Sequence, residues 1–216
     1  MIVIFDLDGT VWDSIDGIAG SLEHTFESLD LPVPSRAELT ANLGPPLQLM
    51  LAELGVPDEL VDAATLRYRE RYVSWGAYQA VVYPGIERLL DDLAADGHRL
   101  ATATSKGEGP TRQMLEHFGL LDRFEVVGAA TMDASAITKP AVVDRALEGL
   151  GRPAPGECLM VGDRHYDVTG AAEHGIDCAG VTWGYGDATE LRDAGAIAVA
   201  DRPEEVRAVV QEASGN

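Results

Sequence analysis

Short apolar runs alternate with longer stretches of helical periodicity from Ile86 to the end of the sequence. This alternation is typical of βα units, in which parallel strands are joined by helices. Right-handed crossovers between such strands give a doubly wound, Rossmann-like parallel sheet, so the sequence predicts an α/β core. The predicted strands are residues 1–5, 99–104, 124–128, 157–162, 177–181 and 196–200.

The segment that follows the first strand does not share this alternation. Residues 13–82 carry helical periodicity and no convincing strand, and their apolar spacing predicts helices over residues 15–29, 47–54 and 60–75. Prolines stand at the joins between these helices. We therefore predict an α/β core domain of residues 1–12 and 83–216, with a small all-helical domain of residues 13–82 inserted after the first strand.

The sequence is strongly acidic, because 36 Asp and Glu residues face 16 Lys and Arg residues and give a formal net charge of −20. Such a chain is a poor partner for nucleic acid and for anionic membranes. No stretch approaches the ~18 consecutive apolar residues of a membrane span. A cytoplasmic protein, either a monomer or a homodimer, is the expectation. An anionic substrate would need a local cation or lysine to offset the acidic groups.

Two acids, Asp6 and Asp8, follow the first predicted strand in the run FDLDGT. Side chains two residues apart on a strand project to the same side, so these carboxylates repel each other unless a cation joins them. Ligands of open parallel sheets bind at the carboxyl ends of the strands, which is where this pair lies. The alternative for an isolated DxDG run is a solvated turn with helix-capping acids.

Three further signals fall directly after, or near the end of, other predicted strands. Thr104 ends the run RLATAT, Lys139 precedes a helix in TKPA, and VGDRHYD supplies Asp163 and Asp167. A hydroxyl group and an ammonium group suit a phosphoryl oxygen, and carboxylates suit a hard divalent cation. Taken singly, these residues are more often a strand-end cap, a surface lysine and helix-capping acids than ligands.

In the order DxDGT, T, K and GDxxxD, these residues resemble the four signature motifs of the haloacid dehalogenase superfamily. The helical insertion resembles the small cap domain of that superfamily, and FDLDGTVWDS, LGPPL and YPGI are similar to its phosphoglycolate-phosphatase-like branch. The resemblance covers essentially the whole chain. It implies a Mg²⁺-dependent phosphatase that hydrolyses a small phosphorylated metabolite, a phosphomonoester, through an aspartyl-phosphate intermediate.

The resemblance also implies roles for the acidic residues. Asp6 would be the nucleophile and would ligate Mg²⁺ through its other carboxylate oxygen. Asp8 would protonate the leaving group and later accept a proton from water, while its backbone carbonyl binds the metal. Asp163 would be a further metal ligand. Asp167 would not touch the ion but would orient Lys139 or a nearby water.

The remaining implied roles concern the substrate. Thr104 and Lys139 would hold phosphoryl oxygens. Among the cap residues, Gly44, Pro45, Pro46 and Gln48 would lie nearest the phosphate; the equal alternative is that this Gly-Pro-Pro run only starts a helix. Many relatives have Asn after the Thr of the second motif, where this chain has Ser105, which is therefore a weaker candidate ligand. We interpret Lys106 as a solvated loop lysine, with contact to the distal part of the substrate as the alternative.

Several functions remain open from the sequence alone. A phosphoglycolate phosphatase is the leading interpretation, a nucleotide 5′-monophosphatase is its nearest competitor, and a phosphomutase of the same fold would use the same two aspartates. Two non-enzymatic alternatives are a receiver-like signalling module and a catalytically silent phosphate-binding protein.

Overall fold

The computed structural model describes residues 1–131 and 136–215. The chain forms two compact units. The core unit consists of Met1–Trp12 together with the described residues from Val82 onward, and the helical unit consists of Asp13–Val81.

The strands of the described residues are, in chain order, β1 (Ile2–Phe5), β2 (Trp12–Asp13), β3 (Val81–Val82), β4 (Arg99–Gly107), β5 (Val126–Ala130), β6 (Cys158–Gly162), β7 (Asp177–Val181) and β8 (Ala198–Ala200). The α-helices are α1 (Ile15–Ser28), α2 (Arg36–Ala41), α3 (Leu47–Glu53), α4 (Val61–Ser74), α5 (Ile86–Ala95), α6 (Glu108–His117), α7 (Lys139–Gly149), α8 (His165–Ala172), α9 (Ala188–Ala194) and α10 (Pro203–Ala213).

Six of these strands form one sheet in the order β5-β4-β1-β6-β7-β8, and every neighbouring pair is parallel. The chain moves outward from β1 through β4 and β5, then returns to the other side of β1 and continues through β6, β7 and β8. The strand order therefore reverses beside β1. In a doubly wound sheet, ligands bind at the carboxyl ends of the strands at such a point.

One face of the sheet is packed against α7, α8 and α9. Alternate strand residues, including Ile2 and Ile4, point into this layer and form a single buried cluster with apolar helix residues such as Val142, Val168 and Leu191. A side chain two residues beyond Ile4 projects toward the same face. The strand pattern thus directs Asp6 to the side of the sheet that carries α7 and α8.

The helical unit contains α1 to α4. Helix α1 contacts α2 and α4, and α3 contacts α4. The short helix α2 begins with a capping box, in which the Ser35 hydroxyl accepts from the Glu38 backbone N–H and the Glu38 carboxylate accepts from the Ser35 backbone N–H. The sequence prediction had no helix over residues 36–41, because this proline-flanked stretch was interpreted as a join.

The predicted α/β fold is confirmed, and each of the six predicted strands is present, with end points that lie within three residues of the predicted ones. The largest difference at the site is in β4, which continues to Gly107 instead of ending at Thr104. None of the helices in residues 1–131 and 136–215 has the length and hydropathy needed to cross a bilayer.

Candidate active site

The predicted catalytic and ligand-binding residues of the core unit meet at the carboxyl ends of the central strands. Asp6 directly follows β1, and its backbone N–H donates to the carbonyl of Val161 in β6 at 2.9 Å. Asp163 directly follows β6, and Thr104 lies in β4, on the other side of β1. Parallel strands end at the same edge of a sheet, so these residues converge although they are far apart in sequence.

Lys139 lies among these acids as the first residue of α7. Its Nζ lies 2.8 Å from Asp6 Oδ1 and 2.8 Å from Asp167 Oδ1, and it donates to the carbonyl of Ala103 at 3.1 Å. The lysine and both carboxylates are buried. The ammonium group therefore ties β1, β4, α7 and α8 together through one buried charge.

Asp167 is oriented by the start of its own helix. Its Oδ2 accepts from the backbone N–H of Arg164 at 3.0 Å, in the reciprocal geometry of a helix N-terminus. This hydrogen bond fixes the carboxylate so that Oδ1 faces Lys139. A buried carboxylate with partners on both oxygens is held in one orientation, so Asp167 supports the position of the lysine.

Asp163 is fully buried, and both of its oxygens are oriented by hydrogen bonds. Thr10 Oγ1 donates to Oδ1 at 3.1 Å, and the backbone N–H of Tyr185 donates to Oδ2 at 2.8 Å. The turn after β1 passes directly over this carboxylate. Gly9 has φ +88°, and a Cβ at this position would lie 2.3 Å from Asp163 Oδ2. Only glycine permits both the left-handed backbone and this close approach.

The carboxylates of Asp6, Asp163 and Asp167 each offer an oxygen within 4.8 Å of the others, an arrangement that could hold a metal ion. Burial is the main cause that raises the pKa of Asp6 to about 6, and Lys139 opposes it. Burial, followed by the charges of Asp167 and Asp6, raises the pKa of Asp163 well above its usual range. Burial alone would lower the pKa of Lys139, but the two neighbouring carboxylates outweigh it and raise that pKa.

Asp8 has a different environment from the other acids. Trp12 Nε1 donates to its Oδ1 at 2.8 Å, and Lys106 Nζ lies 3.0 Å from its Oδ2. The side chain of Asp8 is not part of the three-carboxylate cluster. Its predicted metal contact was through the backbone carbonyl, and that contact remains a prediction.

The interpretation of Lys106 as a solvated loop lysine was wrong. The residue lies within β4, which extends beyond the predicted strand end, and its side chain is 8% exposed and paired with Asp8. The pairing of β4 with β5 changes register between Thr104 and Gly107, so the end of the strand does not follow simple alternation. Both lysines of the sequence, Lys106 and Lys139, therefore lie in this site.

Thr104 and Ser105 remain candidate phosphate ligands. Thr104 is buried, and its hydroxyl oxygen accepts from the backbone N–H of Lys106 at 3.2 Å, which leaves the hydroxyl hydrogen available to a substrate oxygen. The hydroxyl oxygen of Ser105 is buried and has no hydrogen-bond partner among the described residues. A buried hydroxyl without a partner is costly, and a ligand oxygen would relieve that cost.

Gly44 and Pro45 lie in the helical unit, in the segment before α3. Gly44 has φ +122°, a backbone conformation that favours glycine. The contact predicted between these residues and the substrate stays a prediction.

Besides the Lys106–Asp8 ion pair, three contacts at the site were not foreseen from the sequence: those of the Trp12 indole, the Thr10 hydroxyl and the backbone N–H of Tyr185. Trp12 and Thr10 stand within the run DGTVW, so their nearness to the first aspartates was a usable signal. The Tyr185 contact is made by a backbone N–H after β7, which the residue type does not reveal.

Comparison with known proteins identifies relatives of this site and fold. The family model of haloacid dehalogenase-like hydrolases matches residues 3–181. A crystal structure of a predicted phosphatase from Clostridium acetobutylicum superposes with a TM-score of 0.92 at 34% sequence identity and covers 98% of both chains.

Three curated relatives have different names. The tyrosine-protein kinase PtkA of Mycobacterium tuberculosis is 44% identical over 87% of this chain, but the match spans only 64% of that protein's length. A 5′-nucleotidase of Pseudomonas aeruginosa is 35% identical over 88% of this chain and 86% of the relative. A phosphoglycolate phosphatase of Rhodospirillum rubrum is 37% identical over 92% of this chain and 86% of the relative. The chain belongs to the haloacid dehalogenase-like hydrolase family.

Proposed function

We propose that the protein hydrolyses a small phosphomonoester in a Mg²⁺-dependent reaction, through an aspartyl-phosphate formed on Asp6. The observation that carries this proposal is the buried cluster around Lys139. Its ammonium group lies 2.8 Å from both Asp6 and Asp167, and Asp163 offers an oxygen within 4.8 Å of both carboxylates. The cluster stands at the strand ends where an open parallel sheet binds ligands.

The charges at this site fit a divalent cation. Within residues 1–131 and 136–215, the site combines the carboxylates of Asp6, Asp8, Asp163 and Asp167 with the ammonium groups of two lysines, Lys106 and Lys139, so ionised acids exceed cations by two. Burial is the largest cause of the raised pKa values of Asp6 and Asp163, and the charges of neighbouring carboxylates raise both further. Carboxylate oxygens are the ligands that Mg²⁺ prefers, and Asp6 and Asp163 are the side chains that would hold it. When bound, the ion would neutralise charge on the phosphoryl oxygens.

Asp6 is suited to act as the nucleophile. A carboxylate oxygen attacks phosphorus, a P–O bond to Asp6 forms, and the bond from phosphorus to the substrate's ester oxygen breaks with its electron pair leaving on that oxygen. Lys139 keeps the carboxylate ionised and oriented, and its ammonium group can donate to a phosphoryl oxygen. The Thr104 hydroxyl supplies a second donor for the same group.

Asp8 is the candidate general acid and base. It supplies a proton to the departing alkoxide in the first step, and in the second step it accepts a proton from the water that attacks the aspartyl-phosphate and releases inorganic phosphate. Asp6 is regenerated when the P–O bond breaks. Unlike Asp6, Asp8 is part-exposed and held by a neutral indole and a lysine, an environment distinct from that of the nucleophile.

We propose a small phosphorylated metabolite as the substrate, with 2-phosphoglycolate as the first compound to test. The phosphoglycolate phosphatase relative supports this choice, and the 5′-nucleotidase relative supports nucleoside 5′-monophosphates as the second candidate. The name of PtkA adds phosphoryl transfer involving protein tyrosine as a third activity to test, although this chain spans less than two thirds of that protein. Membership of a hydrolase family argues against the receiver-like alternative.

A phosphate-release assay with a substrate panel tests the proposal. The panel contains 2-phosphoglycolate, nucleoside 5′-monophosphates, hexose phosphates and phosphotyrosine, each with Mg²⁺ and with EDTA. We expect turnover with Mg²⁺ that EDTA and Asp6→Asn each abolish. Turnover that is unchanged by Asp6→Asn would refute the nucleophile, turnover that is unchanged by EDTA would refute the metal requirement, and a hexose phosphate that is isomerised without phosphate release would indicate a mutase.

A further inference from the structure

We propose that Trp12 is a positioning residue for Asp8, holding that carboxylate where it can serve as general acid and base; this inference rests on the function proposed above. The Trp12 indole N–H donates to Asp8 Oδ1 at 2.8 Å. Trp12 is fully buried, whereas the Asp8 side chain is 20% exposed. Trp12, which holds Oδ1 of Asp8, is therefore anchored in the core, while the Asp8 carboxylate remains accessible to solvent or substrate.

The indole is held rigidly relative to the nucleophile strand. The backbone N–H of Trp12 donates to the carbonyl of Leu7 at 3.2 Å, and its carbonyl accepts from the backbone N–H of Gly9 at 2.9 Å. The ring packs against Phe118 with centroids 5.6 Å apart. The loop from Asp6 to Trp12 thus closes on itself and fixes the backbone that carries the indole, while burial and the Phe118 ring restrict rotation of the side chain.

Lys106 fixes the other oxygen of the same carboxylate. Its Nζ lies 3.0 Å from Asp8 Oδ2, and its side chain is 8% exposed. With Trp12 on Oδ1 and Lys106 on Oδ2, both the rotamer and the plane of the carboxylate are set before substrate arrives. A general acid has to stand within hydrogen-bond reach of the leaving oxygen, and a displacement of about 1 Å can cost roughly 10²-fold in rate.

Leaving-group dependence separates this role from simple core packing. An alkoxide needs a proton from Asp8 to depart, whereas p-nitrophenolate leaves without one. A variant that misplaces Asp8 will lose kcat/KM on alkyl phosphates and keep it on p-nitrophenyl phosphate, because kcat/KM ends at departure of the leaving group. A variant that only loosens the core will lose both to the same degree.

The experiment compares Trp12→Phe with wild type on p-nitrophenyl phosphate and on the best alkyl phosphate of the panel. We expect kcat/KM to fall on the order of 10-fold for the alkyl ester and less than about 3-fold for the aryl ester. General acid catalysis contributes roughly 10²–10⁴-fold, and a misplaced Asp8 should lose only part of that contribution. Rapid mixing with the aryl ester should also show a burst of p-nitrophenolate equal to the enzyme concentration, because the second step still needs Asp8 as a base. Equal losses on both esters, or no loss, would overturn the proposal.

Two controls complete the design. Trp183→Phe removes an indole N–H that donates to the backbone carbonyl of Thr10 at 3.0 Å rather than to Asp8, and any loss should be the same for both esters. If Trp12→Phe does not fold, Trp12 is replaced by β-(3-benzothienyl)alanine, which keeps the fused-ring shape and lacks the N–H. Asp8→Asn is measured alongside. If Asp8→Asn loses more kcat/KM on the alkyl ester than on the aryl ester but the position 12 variant does not, only the role of Trp12 is overturned. If Asp8→Asn itself loses both to the same degree, the acid/base assignment of Asp8 is overturned, and the role of Trp12 with it.

Discussion

Replacement of Lys139 by methionine tests the charge balance of the buried cluster. The variant removes an ammonium group that contacts two buried carboxylates at 2.8 Å and a backbone carbonyl at 3.1 Å, while keeping most of the apolar stem. Removing one partner of a buried ion pair leaves an uncompensated charge and costs about 3–5 kcal/mol. We therefore expect the free energy of unfolding at neutral pH, without metal, to fall by about 4 kcal/mol.

The assay is urea unfolding in EDTA at neutral pH. The matched control is Arg99→Met, because Arg99 forms a two-point ion pair with Glu125 at 2.6 and 2.7 Å but is 45% exposed. An exposed pair of this kind contributes about 0.2–1 kcal/mol, so the control should lose no more than that. Adding Asp167→Asn to Lys139→Met removes one of the stranded charges and should recover about 2 kcal/mol, within the range of coupling between contacting groups. Equal losses in Lys139→Met and Arg99→Met, or no recovery in the double variant, would refute the electrostatic reasoning.

Three further outcomes are expected. Burial raises the pKa of Asp6 from 3.8 to about 6, so the folded state binds this proton more tightly than the unfolded state does. As pH rises from below 3.8 to above 6, Asp6 should therefore lower the free energy of unfolding of the metal-free protein by about 3 kcal/mol. Urea unfolding across that pH range measures this fall, and a solvated carboxylate would give none. NMR of protein labelled with ¹⁵N,¹³C-lysine should show two side-chain signals, from Lys106 and Lys139. Lys139 should remain protonated at pH values above the ordinary lysine pKa, because Asp167 and Asp6 raise the pKa of its ammonium group. Titration of Lys139 at the ordinary value would contradict the ion pairs. Gly170→Ala in α8 should lower Tm, because the added Cβ would lie 2.5 Å from Lys139 Cγ. In a helix without such a contact, alanine is about 1 kcal/mol more favourable than glycine. A raised Tm in thermal unfolding would therefore show that Lys139 is not packed against Gly170.

The fold and the location of the candidate site were predictable because they depend on local patterns with a common geometric consequence. Asp6, Thr104 and Asp163 each stand at or just after a strand, and parallel strands end at one edge of the sheet. No distance information is needed for that conclusion. The order of the motifs placed Lys139 in the same site, since Lys139 begins the helix that packs on the face toward which Asp6 projects.

The contacts of Asp8 were not predictable in the same way. Lys106 reaches Asp8 because β4 runs on to Gly107 and changes register after Thr104, and alternation along a strand cannot anticipate such a shift. Trp12 reaches Asp8 because the turn after β1 closes on itself, which depends on the backbone bonds of the turn. Exposed lysines are the common case, so composition alone favoured the wrong interpretation of Lys106.

Chemical trapping of the phosphoenzyme is the most direct test of Asp6 as nucleophile. Enzyme turning over its best substrate with Mg²⁺ is quenched within milliseconds and treated with borohydride, which reduces an aspartyl-phosphate to homoserine. Mass spectrometry of the peptide containing residues 1–12 should then show homoserine at position 6, and none should form without substrate. Unmodified Asp6 under conditions of continuous turnover, or homoserine at position 8 instead, would contradict the assignment.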